Sequence, residues 1–385
     1  MPFEAFTRDI WLICLSNIIG AFGEGLYFYV FPLYVRTLQA DYVQLGIVFS
    51  AFYGVSALVL IPGGLLADRF DRKKILILSW TPWVLSPLIY SFAQSWQQLI
   101  PGAICWGASM LGVPAANAYI ISSVLDKKKL ASVIAFVWSC YSFSYIFAPA
   151  LGSYIATIIG MQWVLRMASL LTGIATAIFL LLHSQRPKPD NTKTKLPSPS
   201  SNNTKGLGRK VLLWSGLFAV ATFFMSITRP YVPTFLSEHV GMSEIYVGLF
   251  GSFSYAGMTF LGVAMGRLGD KWRKSGAISI CLFFYVASIV PMLLTQNMGV
   301  LMFLGFILGG SLVAGSLVNS YVGTIAPNHK QGLWVSIPQT LSLLAAFAAP
   351  YLGGYLYTQS VYNAFIVSVI PIPFLILFTL AVLRE

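Results

Sequence analysis

The chain has 385 residues, 57% of them hydrophobic and only 9% charged. A soluble domain carries roughly a quarter charged residues, so a surface facing mostly water is excluded and a bilayer is the natural surround. The formal charge of +12 would suit a nucleic-acid partner on a soluble protein, but here the bases fall in short segments between apolar runs. That pattern points to orientation in a membrane and not to nucleic acid.

The opening MPFEAFTRD is short and carries acids, and the apolar run behind it is long enough to span, so no cleavable leader is expected. Six apolar segments follow at 10–36, 43–66, 74–92, 98–122, 130–156 and 163–183. Residues 184–210, rich in Pro, Ser, Asn and Lys, read as a flexible linker. Six more segments come at 211–236, 245–266, 275–294, 299–325, 332–357 and 362–383. Continuous apolar runs of this length predict helices, since barrel strands would show about ten residues of alternation. The expected fold class is an all-α membrane protein with twelve transmembrane helices.

With the N-terminus inside, 21 of the 24 Lys and Arg residues fall in cytoplasmic segments, which predicts that both termini are cytoplasmic. Arg36 and Arg166 fall near outer ends and Arg229 within the seventh segment. Cys14, Cys105, Cys140 and Cys281 lie in apolar stretches without metal-ligand spacing and read as reduced core residues. No metal site or cofactor is expected.

The linker separates two similar halves. GLLADRFDRKK from Gly64 returns as GRLGDKWRKS from Gly266, 202 residues on. Asn117 and Tyr119 return as Asn319 and Tyr321 at the same offset, and LGIVFSAFYG around Gly46 returns around Gly248. FAPALGSYI around Pro149 returns as AAPYLGGYL around Pro350. Three matches in one register, with the fourth one residue off, predict two six-helix bundles, 1–183 and 211–385, related by a pseudo-two-fold repeat, with a site near the midplane where they meet.

These residues resemble the major facilitator superfamily over nearly the whole chain, and its drug-efflux-type branch in particular. The most specific element is the loop after the second segment, where Gly64, Leu66, Ala67, Asp68, Arg69, Arg72 and Lys73 match the family pattern and Asp71 replaces its usual Gly. The second copy keeps Gly266, Leu268, Asp270, Lys271 and Lys274. Pro149 with Gly152, and Pro350 with Gly353, are similar to the family's exporter motif in degenerate form. The resemblance implies that Asp68 meets the chain near Gly332 as a cytoplasmic latch, with Arg69, Arg72 and Asp126 completing the network. It also implies alternating access, with the first, fourth, seventh and tenth helices lining a cavity. One departure counts against the usual proton-antiport arrangement: Ala103 holds the position where drug antiporters of the family carry Arg.

Charges inside the membrane are costly and usually face a wet cavity or each other. Glu24 and Arg229 are the two in question. Asn17, Glu24 and Tyr27 run along the first helix, and Ser226 and Arg229 share a stripe on the seventh. Asn117, Ser142 and Asn319 add candidates on the fourth, fifth and tenth helices. Three readings stay open. Glu24 binds a proton or a cationic substrate; Glu24 pairs with Arg229 as an outer gate; or either is a structural hydrogen-bonding residue.

Three function classes compete. The first is a secondary transporter exporting amphipathic compounds, with protons as candidate coupling ion. The second is a transporter of one polar metabolite, a sugar or an organic anion, by symport or facilitated diffusion, with Arg229 as anion clamp. The remote third is a non-transporting receptor or scaffold. The scattered His183, His239 and His329, with no phosphate loop or nucleophile constellation, argue against an enzyme. The expected partners are a small-molecule substrate, the lipid bilayer and candidate protons. The expected location is the plasma membrane, as a multi-pass monomer.

Overall fold

The computed structural model describes residues 6–126, 129–186, 201–325 and 331–382. All regular elements among them are helical. Before the linker the order is α1 (Arg8–Phe28), α2 (Phe31–Thr37), α3 (Tyr42–Arg69), α4 (Arg72–Phe92), α5 (Leu99–Ser109), α6 (Gly112–Ser123), α7 (Leu130–Ile159) and α8 (Met161–Ile178). After it come α9 (Ser201–Thr228), α10 (Tyr231–Thr234), a π-helical turn at Phe235–His239, α11 (Glu244–Lys271), α12 (Lys274–Met292) and α13 (Met298–Ser311). The chain closes with α14 (Ala314–Ile325), α15 (Gln331–Gln359), α16 (Val361–Val369) and α17 (Pro371–Val382).

Eleven helical stretches among the described residues are long and apolar enough to cross a membrane. Their outer faces carry Leu58, Leu78, Leu170, Phe260, Phe303 and Phe374, all strongly exposed. So large an apolar surface needs a hydrocarbon cover. Side-chain caps mark where the chain enters several helices. Asp41 and Gln44 form a reciprocal capping box at α3, with bonds of 2.7 and 2.9 Å. Asn297 caps α13. Gly160, at φ +88°, reverses the chain between α7 and α8 in one residue, a conformation that L side chains rarely adopt.

The structure divides several segments that hydropathy reads as continuous. The first breaks at Tyr29–Val30, ahead of Pro32; the fourth at Met110–Leu111, ahead of Pro114; the seventh at Arg229–Pro230, ahead of Pro233. In each case the proline lacks the N–H that would bond the carbonyl four residues back, and its ring crowds that carbonyl. Pro371 opens α17 in the same way. The tenth segment breaks at Leu312–Val313 with no proline to account for it. The expected linker is also shorter at its far end, because α9 begins at Ser201 and not near 211. Residues 187–200 lie outside the described part.

Glycines let helices touch backbone to backbone. Gly107 sits on the carbonyl of Phe52, and Gly309, 202 residues later, on that of Ser254. Gly152 rests on Leu26, and Gly353 on Ile227. The two halves of the chain meet in a matching way. Gly46 of α3 packs on the Pro350 carbonyl of α15, and Gly248 of α11 on the Pro149 carbonyl of α7. The Gly46 and Gly248 contacts lie toward the end of the bundle remote from the N-terminus. There Arg36 pairs with Glu238 at 2.9 Å, Tyr42 donates to Glu238 at 2.7 Å, and Tyr231 donates to the Tyr42 carbonyl at 3.0 Å.

At the opposite end a polar network closes the first half. Tyr119 donates to Asp9 at 2.6 Å, and the His183 ring lies 2.9 Å from the same carboxylate. Asp71 caps α4 and accepts from Ser184 Oγ at 2.5 Å and Gln185 N at 3.0 Å. The residue that departs from the family pattern thus anchors the chain leaving α8. Arg72 donates to the Ala118 carbonyl and to Ser122, and so fastens to α6. Asp68, Arg69, Asp270 and Lys271 are exposed at the helix ends. The expected Gly332 contact falls on residues outside the described side chains.

Two predictions follow from this packing. Gly152→Val puts a branched side chain against the Leu26 backbone, an overpacking that costs about 1–3 kcal/mol. It should lower the melting temperature of the detergent-purified protein by several degrees. Gly216→Ala, where a methyl meets nothing within 4 Å, should leave it unchanged or raise it. The second prediction concerns acid. Burial alone would raise the Asp71 carboxyl, but hydrogen bonds from Ser184, Gln185 N–H and Lys73 N–H outweigh it and hold the group below the usual carboxylate range. Its contribution is therefore full above the unfolded value of about 3.9 and is lost as pH falls through the folded value. Melting curves between about pH 6 and 3 should decline less steeply for Asp71→Asn than for the native chain.

Candidate functional site

Glu24 is buried on α1 at 5% exposure, inside the first half. Its Oε2 accepts from Trp83 Nε1 at 3.0 Å and from the Tyr141 hydroxyl at 2.8 Å; Oε1 accepts from Trp106 Nε1 at 3.2 Å. The donors come from α4, α7 and α5, so one carboxylate ties three helices to α1. Gly20 makes room for this, because a Cβ there would meet the Trp83 indole; Gly25 does the same for Tyr145 and Ala148. Trp106 is held in place by stacking on Phe52 at 3.7 Å.

The cage has a definite chemistry. An indole N–H only donates, whereas a phenol both donates and accepts. The ionised carboxylate satisfies all three donors. A protonated Glu24 can donate only to Tyr141, whose own proton then turns toward the Tyr145 hydroxyl 3.3 Å away.

Arg229 sits at the break between α9 and α10. It lines a cavity of about 180 Å³ where α1–α3 meet the second half. Although deep in the protein, the side chain is exposed to this space. Its bond to the Tyr53 hydroxyl is long, 3.5 Å. Around it the wall is apolar and aromatic, with Phe28, Tyr29, Phe49, Phe218, Tyr255 and Met225. Four polar groups of the wall are already spent. Thr228 and Tyr285 share a 2.6 Å bond and Tyr285 donates on to Ser368, while Ser254 and Ser311 donate to carbonyls of their own helices.

Glu24 and Arg229 do not form an ion pair. Tyr141, Tyr145 and Tyr255 run from one toward the other, with the last two rings 4.6 Å apart. Of the residues expected at the site, Ser226 and Arg229 reach the cavity. Asn17 donates to the Val137 carbonyl at 3.2 Å, Asn117 accepts from Trp138 at 3.0 Å, and Ser142 donates to the Trp138 carbonyl. Tyr27 is 1% exposed and packs on Phe31 and Tyr90. Asn319 Oδ1 is buried without a partner among the described residues. Pro149 and Pro350 are buried at the contact between the halves. Sequence reasoning missed Trp83, Trp106, Tyr53 and Tyr255. Tyr53 and Tyr255, both within reach of Arg229, are 202 residues apart, a signal that the repeat offered.

A helical bundle with apolar outer faces and a polar-pointed internal cavity defines a multi-pass membrane transport protein. The profile of the Major Facilitator Superfamily matches residues 13–228 and 214–385, and the chain belongs to that family. Multidrug resistance protein 2 of Bacillus subtilis (strain 168) is 25% identical over 370 residues, covering 93% of this chain and 91% of that protein. The probable galactarate/D-glucarate transporter GarP of Escherichia coli (strain K12) is 26% identical over 376 residues, covering 84% and 82%. The crystal structure of the nucleoside transporter NupG has the same fold, with a TM-score of 0.75 over 97% of this chain and 98% of that one at 10% identity.

The cage makes a prediction. Glu24→Gln turns an amide NH₂ against an indole N–H, which can only donate, and an unsatisfied buried group costs about 1–3 kcal/mol. The variant should melt well below native, whereas Tyr141→Phe, which removes one of three donors, should melt only slightly below. Equal melting of native and Glu24→Gln would mean that the cage does not select the anion.

Proposed function

We propose that this protein is a secondary active transporter that exports a small amphipathic molecule by alternating access, in antiport with protons taken up at Glu24. The observation that carries this reading is the cavity between the halves, apolar over most of its wall and closed by contacts at the end remote from the N-terminus. A polar metabolite such as a sugar needs several free hydrogen-bonding side chains, and Thr228, Ser254, Tyr285 and Ser311 of this wall are already bonded within the protein. The similarity to a multidrug resistance protein supports the same reading.

The proposal includes twelve spanning helices, α15 supplying the twelfth, in two six-helix bundles of 1–183 and 211–385. Support comes from the contacts that recur about 202 residues apart and from the matching breaks at Tyr29–Val30 and Arg229–Pro230. The segregation of Lys and Arg supports cytoplasmic termini in the plasma membrane. On that orientation Arg36, Glu238 and the Gly46 and Gly248 contacts form a closed outer gate. Protonation of Glu24 reverses the Tyr141 hydroxyl, which disturbs the tyrosine row leading to Arg229 and so links proton binding to the cavity.

Proteoliposomes under an imposed pH gradient test this, with fluorescent amphipaths of cationic, neutral and carboxylate type. Flux of at least one dye should follow the gradient, and Glu24→Gln should abolish the pH dependence. Absence of flux for every dye, with sugars or sugar acids carried instead, would overturn the reading.

A further inference from the structure

Resting on the transport reading above, we infer that the carried amphipath is a monoanion whose carboxylate docks on Arg229. Among the described residues that line the cavity, Arg229 is the only one with a formal charge. A guanidinium offers five N–H donors and accepts nothing. Here the bond described to it is the 3.5 Å one to Tyr53, which is at the weak limit for a hydrogen bond. A charge at this depth calls for a counter-charge, since an unpaired ion in an apolar surround is strongly unfavourable.

The protein does not supply that counter-charge from its nearby carboxylates. Glu24 has both oxygens capped by three donors and is absent from the cavity wall. Glu238 is engaged by Arg36 and Tyr42, and Asp41 caps α3. The same facts argue against a cationic substrate. An ammonium entering the cavity would meet Arg229 and no free carboxylate.

The geometry narrows the anion further. A carboxylate matches the planar fork of a guanidinium in a bidentate pair. A phosphate monoester brings close to two negative charges against one positive, and the excess would be stranded among Phe28, Phe218 and Tyr255. The rest of the substrate is therefore apolar or aromatic, lying on those rings, with one carboxylate at the Arg229 end.

Three dansyl probes that share a fluorophore and differ in tail charge give the test: dansylglycine, dansylglycinamide and dansylethylenediamine. Binding to the detergent-purified chain is followed by dansyl emission, and uptake by proteoliposomes. Dansylglycine should bind at least about tenfold more tightly than the amide. Arg229→Gln should erase that difference by weakening dansylglycine alone, and Arg229→Lys should keep part of it. Melting curves of both variants check that they fold. Amide or amine binding as tightly as the carboxylate, or a preference for dansylglycine that survives Arg229→Gln, overturns this inference and leaves the amphipath reading intact. Failure of all three probes to bind or enter overturns both.

Discussion

Hydrocarbon offers no hydrogen bonds, so every polar group that the chain carries into it must find a partner inside the protein. The Glu24 carboxylate is where this constraint does most to shape the bundle. It accepts from two indoles and a phenol, and those three donors fix α4, α5 and α7 around α1. The arrangement depends on what is missing beside it. Gly20 lets the Trp83 ring lie flat enough on α1 for its nitrogen to reach the acid. A single methyl at that position would move the indole, and the cost would be an unsatisfied donor as well as lost packing. The serines and threonines obey the same rule more locally. Ser56, Thr172 and Thr176 bond carbonyls one turn back in their own helices, and so become apolar-compatible surface.

Against that background Arg229 is the exception. Glu24 is enclosed and satisfied; Arg229 opens on a cavity and is held by one long bond. Both sit near breaks or glycines in their helices, but the consequences differ. The break ahead of Pro233 ends α9 at Thr228 and places Arg229 at the turn, where the backbone changes direction. On the proposed function, a satisfied acid and a base held by one long bond divide the work of a coupled transporter between two places. One place can hold a proton, and the other is available to a molecule arriving from solution.

Much of the fold was legible in the sequence because it rests on periodic or additive signals. Hydropathy located the eleven spans found among the described residues, and the Gly64 and Gly266 loops pointed to the repeat that the proposed function includes. Helix breaks were not legible, since a proline near a helix start and a proline inside a helix look alike in one dimension. Glu24 stood out as a charge in an apolar run, but its partners did not. Trp83 and Trp106 are indistinguishable from lipid-facing aromatics until one knows which helices touch. Asn17 and Tyr27 were assigned to the cavity because they follow the line of Glu24 along the helix. That inference failed because α1 is enclosed on most sides: Asn17 bonds α7 while Tyr27 packs on α4. Arg36 and Glu238 occupy equivalent repeat positions, 202 residues apart, and their pairing across the halves was recoverable only by applying the repeat to charges as well as to motifs.

The distribution of strong and exchangeable interactions fits the proposed alternating access. Everything that caps Glu24 lies within the first half and can move with it as a body. What joins the halves is of another kind. The Gly46 and Gly248 contacts are short-range van der Waals approaches to carbonyls, which a small rotation would lose at once. The Arg36–Glu238 pair is only half-buried, and such a pair contributes about 0.2–1 kcal/mol because water replaces it readily. Opening the closed end would therefore exchange weak protein contacts for hydration, while the buried network that holds each half's own helices in place stays intact. A substrate need supply little differential binding energy to tip such a balance. An anion on Arg229 could supply it, because the residue lies just below the turn that carries Glu238 into the gate.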